Sequence, residues 1–137
     1  MKYKQRKDGF RSGFEAQVAP ALLKAGYKYE PKTYQVLVPV RGHICQSCVE
    51  NRYIVRQSHY TPDFVRWREI VEAKGNLTAR NRGMLIAFAK QYPDLKFRVL
   101  LQKDNWLTKT HRMRYTDWCK KHDIVCAVGT KVPREWL

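Results

Sequence analysis

Phe64-Val65-Arg66-Trp67 and Glu69-Ile70-Val71-Glu72-Ala73 are two short apolar segments with a single residue between them. So little chain allows only a tight turn, and the pair is predicted to form adjacent strands of a hairpin. Pro62-Asp63 heads the first segment, and Lys74-Gly75 closes the second, where the glycine breaks the strand. Side chains alternate faces along a strand, so Glu72 and Lys74 point the same way while Ala73 turns into the core. Pro62 biases Thr61 towards extended backbone and so helps to aim Asp63. The hairpin thus sets one carboxylate beside a glutamate and a lysine on the neighbouring strand.

Periodicity around this hairpin predicts a mixed sheet flanked by helices, an α/β fold in one domain spanning residues 1–137. Residues 1–10 read as a flexible basic arm. Ser12 is placed as an N-cap with Glu15 as its capping-box partner. Val18, Leu22, Leu23 and Ala25 then form a helical stripe ending at Gly26, with Pro20 expected to kink the helix or delay its start. Tyr34–Val40 and Tyr53–Val55 read as strands on either side of an insert, residues 41–52, that carries Cys45-Gln46-Ser47-Cys48. Thr78 caps a helix with Met84, Leu85, Ala87, Phe88 and Ala89 on its apolar face, stopped by Pro93. Phe97–Leu101 reads as a buried strand, Tyr115–Lys121 as a helix, Ile124–Ala127 as a short strand, and Val132–Leu137 as a terminal turn.

The chain has 27 Lys+Arg against 12 Asp+Glu, a formal charge of +15. Such an excess repels itself unless it meets phosphate or another polyanion. No apolar run approaches the roughly 20 residues that span a bilayer, so no membrane partner is expected. Met1–Lys7 does not lead into the apolar core of a secretory signal, and an intracellular location is expected. The four cysteines are then expected as thiols or metal ligands before disulfides.

Oxygen ligands from Asp63 and Glu72, with the Ala73 backbone carbonyl, suit Mg²⁺, with Mn²⁺ as a substitute. A cation there polarises a phosphodiester and activates a water. Lys74 orients or deprotonates that water, or offsets charge on phosphorus. The alternative is a turn aspartate followed by an exposed Glu/Lys strand pair. Pro-Asp before one apolar segment, Glu-x-Lys at the end of the next and the large positive charge favour metal-dependent DNA cleavage.

Three blocks, Phe10-Arg11-Ser12-Gly13-Phe14-Glu15, Tyr60-Thr61-Pro62-Asp63-Phe64 and Val71-Glu72-Ala73-Lys74-Gly75, occur in an order that resembles the phage endonuclease I family. These are the T7-type Holliday-junction resolvases of the PD-(D/E)xK superfamily. The similarity extends through Gln91–Leu95, Trp118–His122 and Val132–Trp136, nearly the whole chain. The resemblance implies a restriction-endonuclease-like sheet in a segment-swapped homodimer, within a host cell. It implies four catalytic residues, Glu15, Asp63, Glu72 and Lys74, with Glu15, Asp63 and Glu72 on the metal. It also implies a composite site, in which Glu15 serves the Asp63, Glu72 and Lys74 of the other chain. From the residues alone, Glu15 reads as a helix-capping residue. The substrate implied is a four-way or branched DNA junction, cut by paired nicks; its two-fold symmetry matches that of a dimer.

Lys2, Lys4, Arg6, Lys7 and Arg11 lead into the Glu15 helix, Ser12 caps it, and Arg80 and Arg82 follow the Glu72/Lys74 strand. All are candidate DNA contacts, with solvated surface charge as the alternative for each. Trp67, Trp106, Trp118 and Trp136 are expected in the core. Cys45 and Cys48 depart from the resemblance. They supply two thiolates for a structural Zn²⁺, which would need His43, His59, Cys119, Cys126 or a second subunit's pair to complete it. Two other functions compete: a PD-(D/E)xK nickase or repair nuclease without junction preference, and a non-catalytic zinc-containing nucleic-acid-binding protein.

Overall fold

Ser12 starts the first helix, α1 (Gly13–Lys24), by accepting a hydrogen bond from the Glu15 backbone N–H at 3.1 Å. The structure, a computed structural model, describes residues 8–41 and 53–137. The arm residues Lys2, Lys4, Arg6 and Lys7 and the pair Cys45/Cys48 lie outside the described residues. Phe10, read as part of the arm, packs its ring on Tyr29 with centroids 4.8 Å apart. The helix runs through Pro20 without a delayed start, because the ring sits on the exposed side. The missing N–H removes one helical hydrogen bond there. Gly26, at φ +96°, turns the chain out of the helix.

The strands are β1 (Lys28–Tyr29), β2 (Tyr34–Arg41), β3 (Tyr53–Tyr60), β4 (Phe64–Arg66), β5 (Glu69–Lys74), β6 (Lys96–Leu101) and β7 (Val125–Val128). Five make one mixed sheet in the order β1-β4-β5-β6-β7, antiparallel up to β5 and parallel beyond it. The predicted hairpin is present, with Phe64 opposite Val71 and Arg66 opposite Glu69. β2 and β3 form a separate antiparallel ribbon, and β3 continues through Tyr60, five residues beyond its sequence prediction.

Alternation along the central strands gives each face its own core. Val71, Ala73 and Leu100 meet Phe14, Val18 and Leu22 of α1 on one side, with Trp136 closing that layer. Ile70, Val99 and Leu101 face the other way, towards α2 (Ala79–Gln91), α3 (Tyr115–Lys121) and the ribbon. Phe88 of α2 is fully buried among Tyr34, Tyr60 and Phe97. Gln91 fastens the ribbon with its side-chain amide, which accepts from Leu37 N–H at 2.8 Å and donates to Leu37 C=O at 2.7 Å. A neighbouring strand would make the same two bonds, so this part of the ribbon edge is closed.

Two tryptophan expectations are corrected. Trp118 and Trp136 are buried, but Trp67 is 85% exposed and Trp106 is 39% exposed. Trp67 occupies the two-residue turn between β4 and β5 at φ +52°, beyond the reach of either helical layer. Trp106 lies in the loop after β6, between the ring of His111 and the guanidinium of Arg114.

Candidate active site

β5 extends past its last pairing with β4, so Glu72, Ala73 and Lys74 stand at an open end of the sheet, facing the residues that precede β4. Asp63, Glu72 and Glu15 are nonetheless 0%, 1% and 7% exposed, the only buried charged side chains among the described residues. Carboxylates out of water need donors or counter-ions. Here each has them. Asp63 Oδ2 accepts from the Ala73 N–H at 2.9 Å, and its Oδ1 lies 3.2 Å from Arg11 Nη2. Glu72 Oε2 accepts from the Tyr60 hydroxyl at 2.5 Å and from the Asp63 N–H at 3.1 Å. Glu72 Oε1 pairs with Lys74 Nζ at 2.7 Å. Glu15 Oε2 accepts from the Tyr29 hydroxyl at 2.5 Å and from the Arg11 N–H at 3.2 Å. The capping box therefore closes on one side only: Glu15 reaches back one residue further than expected, to Arg11.

The four residues expected from sequence thus converge on one corner of the fold, and within a single chain Glu15 shares the partner Arg11 with Asp63. Three residues that the sequence did not single out join them: Tyr60, Glu30 and Tyr29, the last already described on Glu15. Tyr60 is buried at the end of β3, where its ring packs on Phe88 and its hydroxyl meets Glu72. Glu30 sits at φ +46°, its N–H bonded to the Asp63 carbonyl at 2.8 Å. Its Oε1 lies 2.5 Å from Arg11 Nη2, in an ion pair without hydrogen-bond geometry. Tyr60 had a signal, as the residue just before Thr61-Pro62-Asp63. Glu30 had none.

Electrostatics in this corner is strained. Burial, then Glu72 and Glu15, push the Asp63 carboxyl well above the usual carboxylate range, against the opposing pull of Lys74 and the Ala73 N–H. Burial alone would lower the Lys74 ammonium, but Glu72 and Asp63 outweigh it and the net shift is upward. The Tyr60 hydroxyl is pushed well up by burial and by Glu72, and stays a proton donor. Four carboxylates, if all ionised, are paired among the described residues only with Arg11 and Lys74, leaving two negative charges unpaired. Hard oxygens with that surplus suit a divalent cation that keeps part of its water shell. Among the described residues no three acidic, histidine or cysteine side chains converge as a formed ligand set. The carboxylates are turned instead onto Tyr29, Arg11, Tyr60 and Lys74.

A cleft of about 350 Å³ opens over Glu72 and Lys74, lined also by Arg11, His59, Arg80 and Asn81. Arg80 is exposed at the first turn of α2, which Thr78 caps by accepting from the Asn81 N–H at 3.2 Å. Arg82 is half-buried and donates to the Leu77 carbonyl at 2.7 Å, so its guanidinium serves the helix start. Ser12 Oγ is likewise occupied as a cap.

Tyr60 and the Asp63 N–H both hold Glu72 Oε2, which leaves Oε1 as the oxygen offered to the cleft. Tyr60→Phe keeps the ring and removes one donor to a buried carboxylate. It should lower stability by about 1.5–3 kcal/mol, read as a fall in Tm on thermal unfolding.

A family model described as phage endonuclease I matches residues 1–137, the full chain. The chain is also 27% identical over 136 residues to a protein named endodeoxyribonuclease 1 from Enterobacteria phage T3, covering 92% of this chain and 80% of that one. The span of the family match includes Glu15, Asp63, Glu72 and Lys74. The chain belongs to the phage endonuclease I family.

Proposed function

We propose that the protein is a Mg²⁺-dependent endodeoxyribonuclease that resolves four-way and other branched DNA junctions by paired nicks. The observation that carries this reading is the buried cluster of Glu15, Asp63 and Glu72 beside Lys74, at the mouth of a cleft on a chain of charge +15. Asp63, Glu72 and Glu15, with the Ala73 carbonyl, would hold the cation, and Mn²⁺ would substitute for Mg²⁺. When bound, the cation supplies Lewis-acid polarisation of the scissile phosphate and a lowered pKa for the attacking water. Asp63 and Glu72 must turn from Arg11 and Lys74 to hold it. Lys74, freed from Glu72, would orient or deprotonate the attacking water, or offset charge building on the phosphoryl oxygens. Arg11, released from Asp63, reaches the same cleft.

Two cuts on opposed strands call for two sites, and a two-fold homodimer supplies them. Exchange of α1, β1 and β2 between copies would keep the Glu15 contacts to Tyr29 and Arg11 inside the moving segment, and would remake the contacts of Arg11 and Glu30 with Asp63 between chains. No helix among the described residues is long and apolar enough to cross a membrane. A structural Zn²⁺ on Cys45 and Cys48 remains a separate proposal, tested by metal analysis of the purified protein.

The test is cutting of a four-way junction and a linear duplex of equal length, in Mg²⁺ or in EDTA. Paired nicks near the branch that require Mg²⁺ support the reading. Equal cutting of linear duplex favours a nickase or repair nuclease, and tight binding without cutting favours a non-catalytic binding protein.

Metal removal carries a pH signature. The folded pKa of Asp63 lies above its unfolded value, so its contribution to stability is present below the unfolded pKa, near 4. That contribution is lost as pH rises through the folded pKa. In EDTA the Tm should therefore fall as pH rises above about 4. Saturating Mg²⁺ needs the ionised carboxylate, so the Tm difference between Mg²⁺ and EDTA should widen with pH. Differential scanning fluorimetry measures this, and Asp63→Asn should flatten the dependence.

A further inference from the structure

β5 and β6 run parallel, with Lys74 opposite Leu101, so whatever follows Leu101 leaves the sheet at the catalytic edge. Gln102 continues the pairing by donating its N–H to the Lys74 carbonyl at 3.0 Å. The segment 102–114 that begins there is a built loop. Trp106 and Arg114 form an antiparallel bridge, and Leu107 N–H donates to the Met113 carbonyl at 2.8 Å. Leu107 and Met113 are packed on the core. Trp106 is held between His111, stacked at 5.2 Å, and the Arg114 guanidinium at 4.1 Å.

Charge on this loop is sorted by direction. Its acidic residue, Asp104, is turned inward, where its carboxylate accepts from the Thr116 N–H at 3.0 Å and the Thr116 hydroxyl at 2.9 Å. Lys103, Lys109 and Arg112 are exposed, and among the described residues none of the three is in an ion pair. Arg11, Arg66, Lys74 and Arg98 are all paired with carboxylates. Other exposed cations, Lys90, Lys96 and Lys121 among them, are also in no ion pair among the described residues. The loop's cations are set apart by place, on the segment that leaves β6 beside Lys74.

We infer that loop 102–114 is a phosphate-binding platform that grips the duplex arm next to the cut, with Lys103, Lys109 and Arg112 as its contacts and the Trp106 stack as its stiffener. The inference rests on the nuclease reading and adds to it the surface that seats the DNA. A rigid loop one strand away from Lys74 fixes the backbone beside the cleft, and phosphate contacts set register without reading sequence.

The experiment measures binding of the full chain to a four-way junction in EDTA, across a salt series, for three proteins. These are the wild type, the triple variant Lys103→Ala/Lys109→Ala/Arg112→Ala, and a control triple, Lys90→Ala/Lys96→Ala/Lys121→Ala. The control removes the same charge from the opposite edge of the sheet, at the ends of α2 and α3 and the start of β6. Each phosphate contact contributes about 0.9 to the slope of log affinity against log salt. The loop triple should therefore lose between about two and three from that slope, and the control less than about one. Equal losses in both triples, or an unchanged slope in the loop triple, would overturn the inference. Should the triple fail to fold by circular dichroism, the three single variants replace it, each expected to lose about 0.9. Cutting in Mg²⁺ is scored separately. A wild type that neither binds nor cuts the junction defeats the nuclease reading and the platform with it. One that cuts while the loop triple keeps its slope defeats the platform alone.

Discussion

Glu72→Gln should abolish cutting, by at least about a thousandfold, while junction binding in EDTA stays close to that of wild type. The reason lies in how the carboxylate is held. Tyr60 and the Asp63 N–H both donate to Oε2, so the oxygen of a glutamine amide must take that position. The amide nitrogen is then left where Oε1 stood, 2.7 Å from Lys74 Nζ, and two donors face each other. That N–H group also points to where a cation would bind. The substitution also removes one of the charges that push the Asp63 carboxyl up, which offsets part of the cost of leaving the Lys74 ammonium without its partner. Loss of cutting in a protein that still unfolds cooperatively in EDTA, at a modestly lower Tm, is the expected pair of results. Full activity would remove Glu72 from the site, and a collapsed Tm would mean that the loss reports unfolding.

The second large effect concerns where Glu15 acts. Glu15→Ala and Lys74→Ala should each be inactive alone. If α1 is exchanged, a mixed dimer contains one site with native Glu15 from one chain and native Lys74 from the other. Random mixing should then restore about one quarter of the wild-type sites. Intrachain pairing gives no recovery at any ratio. The single chain brings Glu15 to Tyr29 and Arg11 unaided, so the mixture distinguishes two arrangements with the same local contacts. Co-expression of the two variants ensures that exchange has had the chance to occur. No recovery despite mixed dimers shown by mass would rule out exchange of the first helix.

Much of the site was legible because its core is local. Asp63, Glu72 and Lys74 sit on one hairpin, where a two-residue period and a tight turn leave few arrangements. Ser12 announced the helix start, and Ala73 turned into the core as alternation required, being 4% exposed. The missed parts depend on long-range packing. Arg11 meets Asp63 across 52 positions of sequence, and Glu30 is brought there by a left-handed residue between β1 and β2. β1 has only two residues and therefore no period to read. β3 was under-read because Arg56, Gln57 and His59 are exposed and polar, which dilutes its apolar signal. The tryptophans misled because size was taken for burial: Trp67 is in a turn and Trp106 braces a loop.

The central claim is that Asp63 and Glu72 hold a divalent cation, and Mn²⁺ offers the most direct measurement through the loss of its free-ion EPR signal. Wild-type protein without DNA should take up Mn²⁺, while Asp63→Asn and Glu72→Gln, both folded, should leave it in solution. Equal uptake by all three proteins, or none by the wild type, would contradict the account.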